Sequence, residues 1–125
     1  MGTKVLVVDD SMMVRQQVRR ALVSAGFDVF EAKDGLEDLG QVRVLEGIAL
    51  VICDVHMPNM SGLEFLQALR DDPAFAATPV VMLTTEGQAH HIEKAEALGA
   101  KAWILKPFKA ELVIAAVKKL TAEAA

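Results

Sequence analysis

The 125 residues contain a single cysteine, Cys53, so no internal disulfide can form. It sits inside an apolar run and reads as a small buried hydrophobe. No apolar stretch approaches the ~20 residues that a membrane-spanning helix needs. A basic excess is also missing: 13 Lys and Arg stand against 17 Asp and Glu, for a net charge of −4. Nucleic-acid binding wants a basic stripe, so this balance argues against that partner. There is no linker, repeat or low-complexity segment, and Met1-Gly2-Thr3-Lys4 leads into an apolar run without a signal-peptide pattern. The expectation is one soluble, cytoplasmic domain over residues 1–125, with no membrane association. Apolar residues make up 53% of the chain, enough for a real core. At this size folding buries roughly two thirds of the surface that the unfolded chain exposes.

What is present alternates between two periods. Lys4 to Val8 is a short β-branched run. Ser11 to Ala25 reads as a helix, with Val14, Val18, Ala21, Leu22 and Ala25 recurring at spacings of three and four and Gly26 as its stop. Phe27 to Ala32 is a second strand. Asp34-Gly35-Leu36-Glu37 matches a capping box and opens a helix to about Glu46. Ile48 to Cys53 is apolar on both faces, as suits a central strand covered on both sides. Ser61-Gly62-Leu63-Glu64 is a second capping box, for a helix ending near Arg70. A fourth strand follows Thr78-Pro79 and runs to about Leu83. Gln88 to Leu98 is a polar-faced helix stopped by Gly99. Lys101 to Leu105 is the fifth strand. Lys109 to about Ala122 is the last helix, with Leu112, Val113, Ala116, Val117 and Leu120 expected inward. Met12, Met13, Met57 and Met60 are expected to serve packing. The alternation predicts an α/β fold, a parallel sheet with helices on both faces.

Four of the apolar runs stop abruptly at polar residues. Val5 to Val8 ends in Asp9-Asp10, Leu50 to Cys53 in Asp54, Val80 to Leu83 in Thr84-Thr85, and Trp103 to Leu105 in Lys106-Pro107. In a parallel sheet all of these groups fall on one edge, the edge where open α/β sheets bind ligands. Three carboxylates, a hydroxyl and an ammonium at one place make a metal and phosphoryl site.

Val7-Val8-Asp9-Asp10-Ser11, Asp54 to Gly62, Thr84-Thr85 and Lys106-Pro107-Phe108, in that order, resemble the receiver domain of two-component response regulators. The resemblance covers essentially the whole chain and is greatest to the short, stand-alone chemotaxis type. It implies a flavodoxin-like (βα)5 fold, a doubly wound five-stranded parallel sheet of order 2-1-3-4-5. It also implies a phosphorelay switch rather than an enzyme acting on a separate substrate.

On that resemblance Asp54 is the phosphoacceptor, a carboxylate that needs no deprotonation at neutral pH. Mg²⁺ (or Mn²⁺) would be held by Asp10, Asp54 and the backbone carbonyl of His56, with Asp9 acting through water. Mg²⁺ prefers oxygen ligands and keeps several waters, and a cation relieves the repulsion among three carboxylates. Ser11 is a better helix cap than either neighbouring aspartate, although both roles can coexist. Lys106 would contact the phosphoryl oxygens as a point charge, aimed by a cis Lys106–Pro107 bond. Thr84 is the expected sensor, with Thr85 second. Trp103 would move with it, unless it is simply core.

His56 and Glu86 occupy positions where receivers vary; they either set the lifetime of the phosphorylated state or are inert at the rim. His90 and His91 read as a solvated face. The fourth helix, fifth strand and fifth helix would form the partner face, with Ile92 and Trp103 as contacts. The implied partners are a sensor histidine kinase and a downstream target protein, with the chain a monomer or a phosphorylation-dependent dimer. Two alternatives stay open: a receiver belonging to a longer, multidomain regulator, and a Mg²⁺-dependent aspartyl phosphatase. The phosphatase chemistry wants Asp-x-Asp after the first strand and a capping insertion, whereas this chain has adjacent Asp9-Asp10 and no room for a cap. A flavin carrier of similar topology would need a Ser/Thr/Gly-rich phosphate loop after Val8, which is absent.

Overall fold

The computed structural model describes residues 3–33, 47–55, 61–71, 77–84 and 89–124. Five strands, β1 (Lys4–Val8), β2 (Asp28–Ala32), β3 (Ile48–Asp54), β4 (Val80–Thr84) and β5 (Ala100–Leu105), form one parallel sheet in the order β2-β1-β3-β4-β5. The described helices are α1 (Met12–Ser24), α2 (Gly62–Asp71), α3 (Ala89–Ala97) and α4 (Ala110–Ala124). The helix expected over 34–46 lies outside the described residues.

Period-two alternation along β3 divides its side chains between two cores. Leu50 and Ile52 join Val5, Val7, Val18, Leu22, Val113 and Val117 on the α1 and α4 side. Val51 and Cys53 join Leu6, Val8, Phe65, Leu66 and Leu69 on the α2 side, together with Ala95 from α3. This two-sided burial is why β3 carries an unbroken apolar run. Cys53 is fully buried, and its thiol donates to the Asp54 carbonyl at 3.3 Å.

Local chemistry sets the helix ends. Ser11 caps α1, its hydroxyl accepting from the Val14 amide at 3.3 Å. After Ala25 the chain turns at Gly26, whose φ of +94° suits glycine. Ser61 and Glu64 cap α2 reciprocally, the Glu64 amide donating to the Ser61 hydroxyl and the Ser61 amide to the Glu64 carboxylate.

Two packing expectations are corrected. Met12 and Met13 are 61% and 70% exposed. They occupy the turn that Ser11 caps, off the stripe of Val18, Ala21 and Leu22 that meets the sheet. Leu112 is 54% exposed, because Val113, Val117 and Leu120 define the inward stripe of α4 and Leu112 stands a third of a turn away. No described helix is long and apolar enough to cross a membrane.

Candidate phosphoryl and metal site

Register brings the strand ends level. Val8 pairs with Cys53 across β1 and β3, so Asp9 emerges beside Asp54. Asp54 pairs with Leu83, and Thr84 with Leu105, so Lys106 leaves the sheet at the same edge. Parity adds a second constraint. Val7, Ile52 and Ile104 all face the α1 and α4 side, and Asp9, Asp54 and Lys106 each follow two residues later.

Asp9, Asp10 and Asp54 each place a carboxylate oxygen within 4.8 Å of the other two, the one such metal-suited cluster among the described residues. Asp9 is fully buried, Asp54 is 6% exposed and Asp10 faces solvent. Lys106 Nζ lies 2.8 Å from Asp9 Oδ2 and 3.4 Å from Asp54 Oδ2. Burial of the ammonium pulls its pKa down. The hydrogen bond that Lys106 donates to Asp9 and the charges of Asp9 and Asp54 outweigh that, and the net direction is upward from 10.5. Lys106 is therefore a cation at neutral pH.

Three carboxylates against one ammonium leave the cluster net negative. The donor set consists of hard oxygens, and solvent reaches it through Asp10. That suits Mg²⁺, which takes one or two carboxylates and keeps waters for the remaining positions. It does not suit a metal that prefers nitrogen or sulfur.

Other named residues distribute as follows. The Lys106–Pro107 bond is cis. Thr84 is the last residue of β4, one position further than the sequence pattern suggested; its side chain lies outside the described set, as do Thr85, His56 and Glu86. Met57 and Met60 and the side chains of His90 and His91 fall outside it too. Trp103 is half-buried and packs on the α2-side core, level with Met82. Ile92 is half-buried on α3, and both it and Trp103 line a shallow groove with Ala95 and Ala102.

Two contacts at the site had no signal in the strand-end pattern. The Arg15 guanidinium donates to the Asp9 carbonyl at 2.6 Å. Gly62 sits against the backbone of Asp54, and its amide donates to the Val55 carbonyl at 2.8 Å. The spacing from Ser11 to Arg15, one helical turn, was the available hint for the first.

The response regulator receiver domain profile matches residues 5–118. The chain belongs to the response regulator receiver family. Chemotaxis protein CheY1 of Helicobacter pylori is 34% identical over 111 residues, covering 88% of this chain and 90% of that protein. The CheY homolog of Campylobacter jejuni is also 34% identical over 111 residues, covering 88% of this chain and 85% of its own. Among solved structures, chemotaxis protein CheY4 of Vibrio cholerae superposes with a TM-score of 0.90 at 38% identity, covering 96% of this chain and 99% of that one. This receiver is thus of the CheY type. It is a signalling switch, and its acidic pocket has the composition with which receivers bind Mg²⁺.

Proposed function

We propose that this receiver is a single-domain switch over residues 1–125 that accepts a phosphoryl group on Asp54 from a sensor histidine kinase. The observation that carries the reading is the triad of carboxylates within 4.8 Å, two of them engaged by one lysine. An Asp54 carboxylate oxygen bonds to phosphorus as the phosphorus–nitrogen bond of the donor phosphohistidine breaks, and the freed imidazole takes a proton from water. Lys106 already stands at Asp54 and can follow the new negative charge. Asp10, Asp54 and the His56 carbonyl would hold Mg²⁺, or Mn²⁺ in its place, with Asp9 contributing through water. The bound ion would supply neutralisation of the phosphoryl oxygens.

The Thr84 hydroxyl then donates to the phosphoryl group and draws its loop inward, and Trp103 follows. The surface formed by α3, β5 and α4, including Ile92 and Trp103, thereby changes for a downstream target protein. A free-energy difference of about 1–3 kcal/mol between the two forms is enough for signalling. His56 and Glu86 set how long the acyl phosphate lasts, and a His56→Ala variant with an unchanged decay rate removes His56 from that role. The protein works in the cytoplasm, without direct contact to nucleic acid or membrane, as a monomer or a phosphorylation-dependent dimer.

The test is labelling by acetyl phosphate with Mg²⁺. One phosphoryl group per chain is expected, with none in Asp54→Asn and none in EDTA. Repeated turnover of a generic phosphate ester would instead indicate a phosphatase.

A further inference from the structure

The acidic cluster is braced from behind by charged groups that the transfer chemistry does not touch. Arg15, in the first turns of α1, sends Nη1 to the Asp9 carbonyl at 2.6 Å and Nε to Glu31 Oε1 at 3.2 Å. Arg19 holds the other oxygen of Glu31. Glu31 lies on β2 opposite Val7, and the Asp9 amide donates to the carbonyl of the next residue, Ala32, at 3.1 Å. One guanidinium therefore ties α1, β2 and the turn after β1 together beside the cluster.

We propose that Arg15, anchored by Glu31, is a positioning residue that holds the Asp9-Asp10 turn in its cation-binding shape and so sets the affinity for the divalent ion. The inference rests on the metal reading above. The oxygen that Arg15 grips belongs to the peptide linking Asp9 to Asp10. The next peptide is fixed as well, because the Ser11 amide donates to Asp9 Oδ1 at 2.9 Å. With both flanking peptides pinned, the direction in which the Asp10 side chain leaves the backbone is set. Asp10 is the exposed member of the triad and has the most freedom to lose.

The chemistry selects arginine. Two acceptors in diverging directions must be met by one rigid fork, which a lysine ammonium on a flexible stem does not reproduce. The Arg15 side chain is only 16% exposed, so water competes poorly for these bonds.

The experiment is calorimetric titration of Mg²⁺ into the metal-free chain, for wild type, Arg15→Gln, Arg15→Lys, Glu31→Gln and the surface control Gln16→Ala. Arg15→Gln is expected to weaken Mg²⁺ binding about tenfold. Arg15→Lys should fall between it and wild type, Glu31→Gln should weaken binding less, and Gln16→Ala should match wild type. Hydrogen exchange of the Ser11 amide in metal-free protein should accelerate in Arg15→Gln, which a role confined to global stability does not require. A dissociation constant for Arg15→Gln within twofold of wild type overturns the proposal, even if its melting temperature falls. If Arg15→Gln does not fold, Glu31→Gln decides, and unchanged affinity there overturns it equally. Should wild type itself bind no Mg²⁺, the metal reading falls and this inference with it. Tight wild-type binding with indifferent variants sinks this inference alone.

Discussion

A Cβ on Gly62 would lie 2.0 Å from the carbonyl oxygen of Asp54 and 2.9 Å from its carbonyl carbon. The first residue of α2 thus rests directly on the backbone of the proposed phosphoacceptor, and neither partner is a side chain that could swing aside. Replacing glycine by alanine in a helix normally helps by about 1 kcal/mol. Here the close approach reverses the sign. Gly62→Ala should destabilise the chain by about 3 kcal/mol in urea unfolding, and labelling of Asp54 by acetyl phosphate should slow as the end of β3 shifts. A stabilised variant with normal labelling contradicts this packing.

Lys106 neutralises a carboxylate that water cannot reach. Removing it in Lys106→Ala leaves the buried Asp9 carboxylate with its Ser11 amide bond but without the ammonium. In metal-free protein the expected loss is about 3 kcal/mol. Millimolar Mg²⁺ should recover part of it, because a divalent ion supplies positive charge to the same cluster. In an Asp9→Asn background the same substitution should cost much less, since the charge to be compensated is gone. Equal losses in both backgrounds, measured by urea unfolding, mean that the pair is not coupled.

The same pair has a pH signature. The folded-state pKa of Lys106 is raised above 10.5, while in the unfolded chain it returns to that value. Folding therefore holds the proton more tightly, and the contribution is present in full below pH 10.5 and lost as pH climbs through the raised value. The difference in unfolding free energy between wild type and Lys106→Met, measured in EDTA, should stay flat from neutral pH to 10.5 and shrink beyond it. A difference that shrinks well below that pH means that the ammonium is not held as the geometry describes.

How far the sequence reached is visible in these residues. Asp9, Asp54 and Lys106 were readable because each closes an apolar run, and a parallel sheet converts four run ends into one edge. The strand order itself came with the family resemblance, since alternation of strand and helix does not rank neighbours. Gly62 was legible as a helix start through its capping box, but its contact with Asp54 depends on how the loop between them returns. Arg15 and Glu31 are 16 residues apart and share no local pattern. Their pairing exists only once β2 lies beside β1. Leu112 was misplaced because an apolar residue one step off the stripe of Val113 and Val117 looks like part of it until α4 is docked.

Trp103 is the chain's one tryptophan and sits half-buried at the edge strand, so its emission reports on the α3 and β5 surface alone. Mg²⁺ with beryllofluoride, which mimics the phosphoryl group, should move that emission to shorter wavelength as the ring becomes more buried. Thr84→Ala should abolish the shift while leaving beryllofluoride binding intact, and Asp54→Asn should abolish both. A shift that persists in Thr84→Ala removes Thr84 from the path between the site and the surface.

Arg70 performs a structural task at the edge of the sheet opposite the acidic site. From the last turn of α2 it donates from Nε to the Leu98 carbonyl at 2.6 Å and from Nη2 to the Thr78 carbonyl at 2.9 Å. It thereby joins the end of α3 to the approach to β4. Burial lowers its pKa, yet an arginine guanidinium stays charged at neutral pH. Gly99 makes room for it, since a Cβ there would meet Arg70 Nε at 3.1 Å, and its φ of +87° already disfavours a side chain. Arg70→Ala leaves two half-buried carbonyls without their charged donor and should cost about 2–3 kcal/mol in urea unfolding. Because β3 and β4 separate this edge from Asp54 along their full length, the rate of labelling by acetyl phosphate in the folded variant should match wild type. A labelling rate that falls with stability would instead tie the far end of α3 to the chemistry of the pocket, and Arg70 would then belong to the switch.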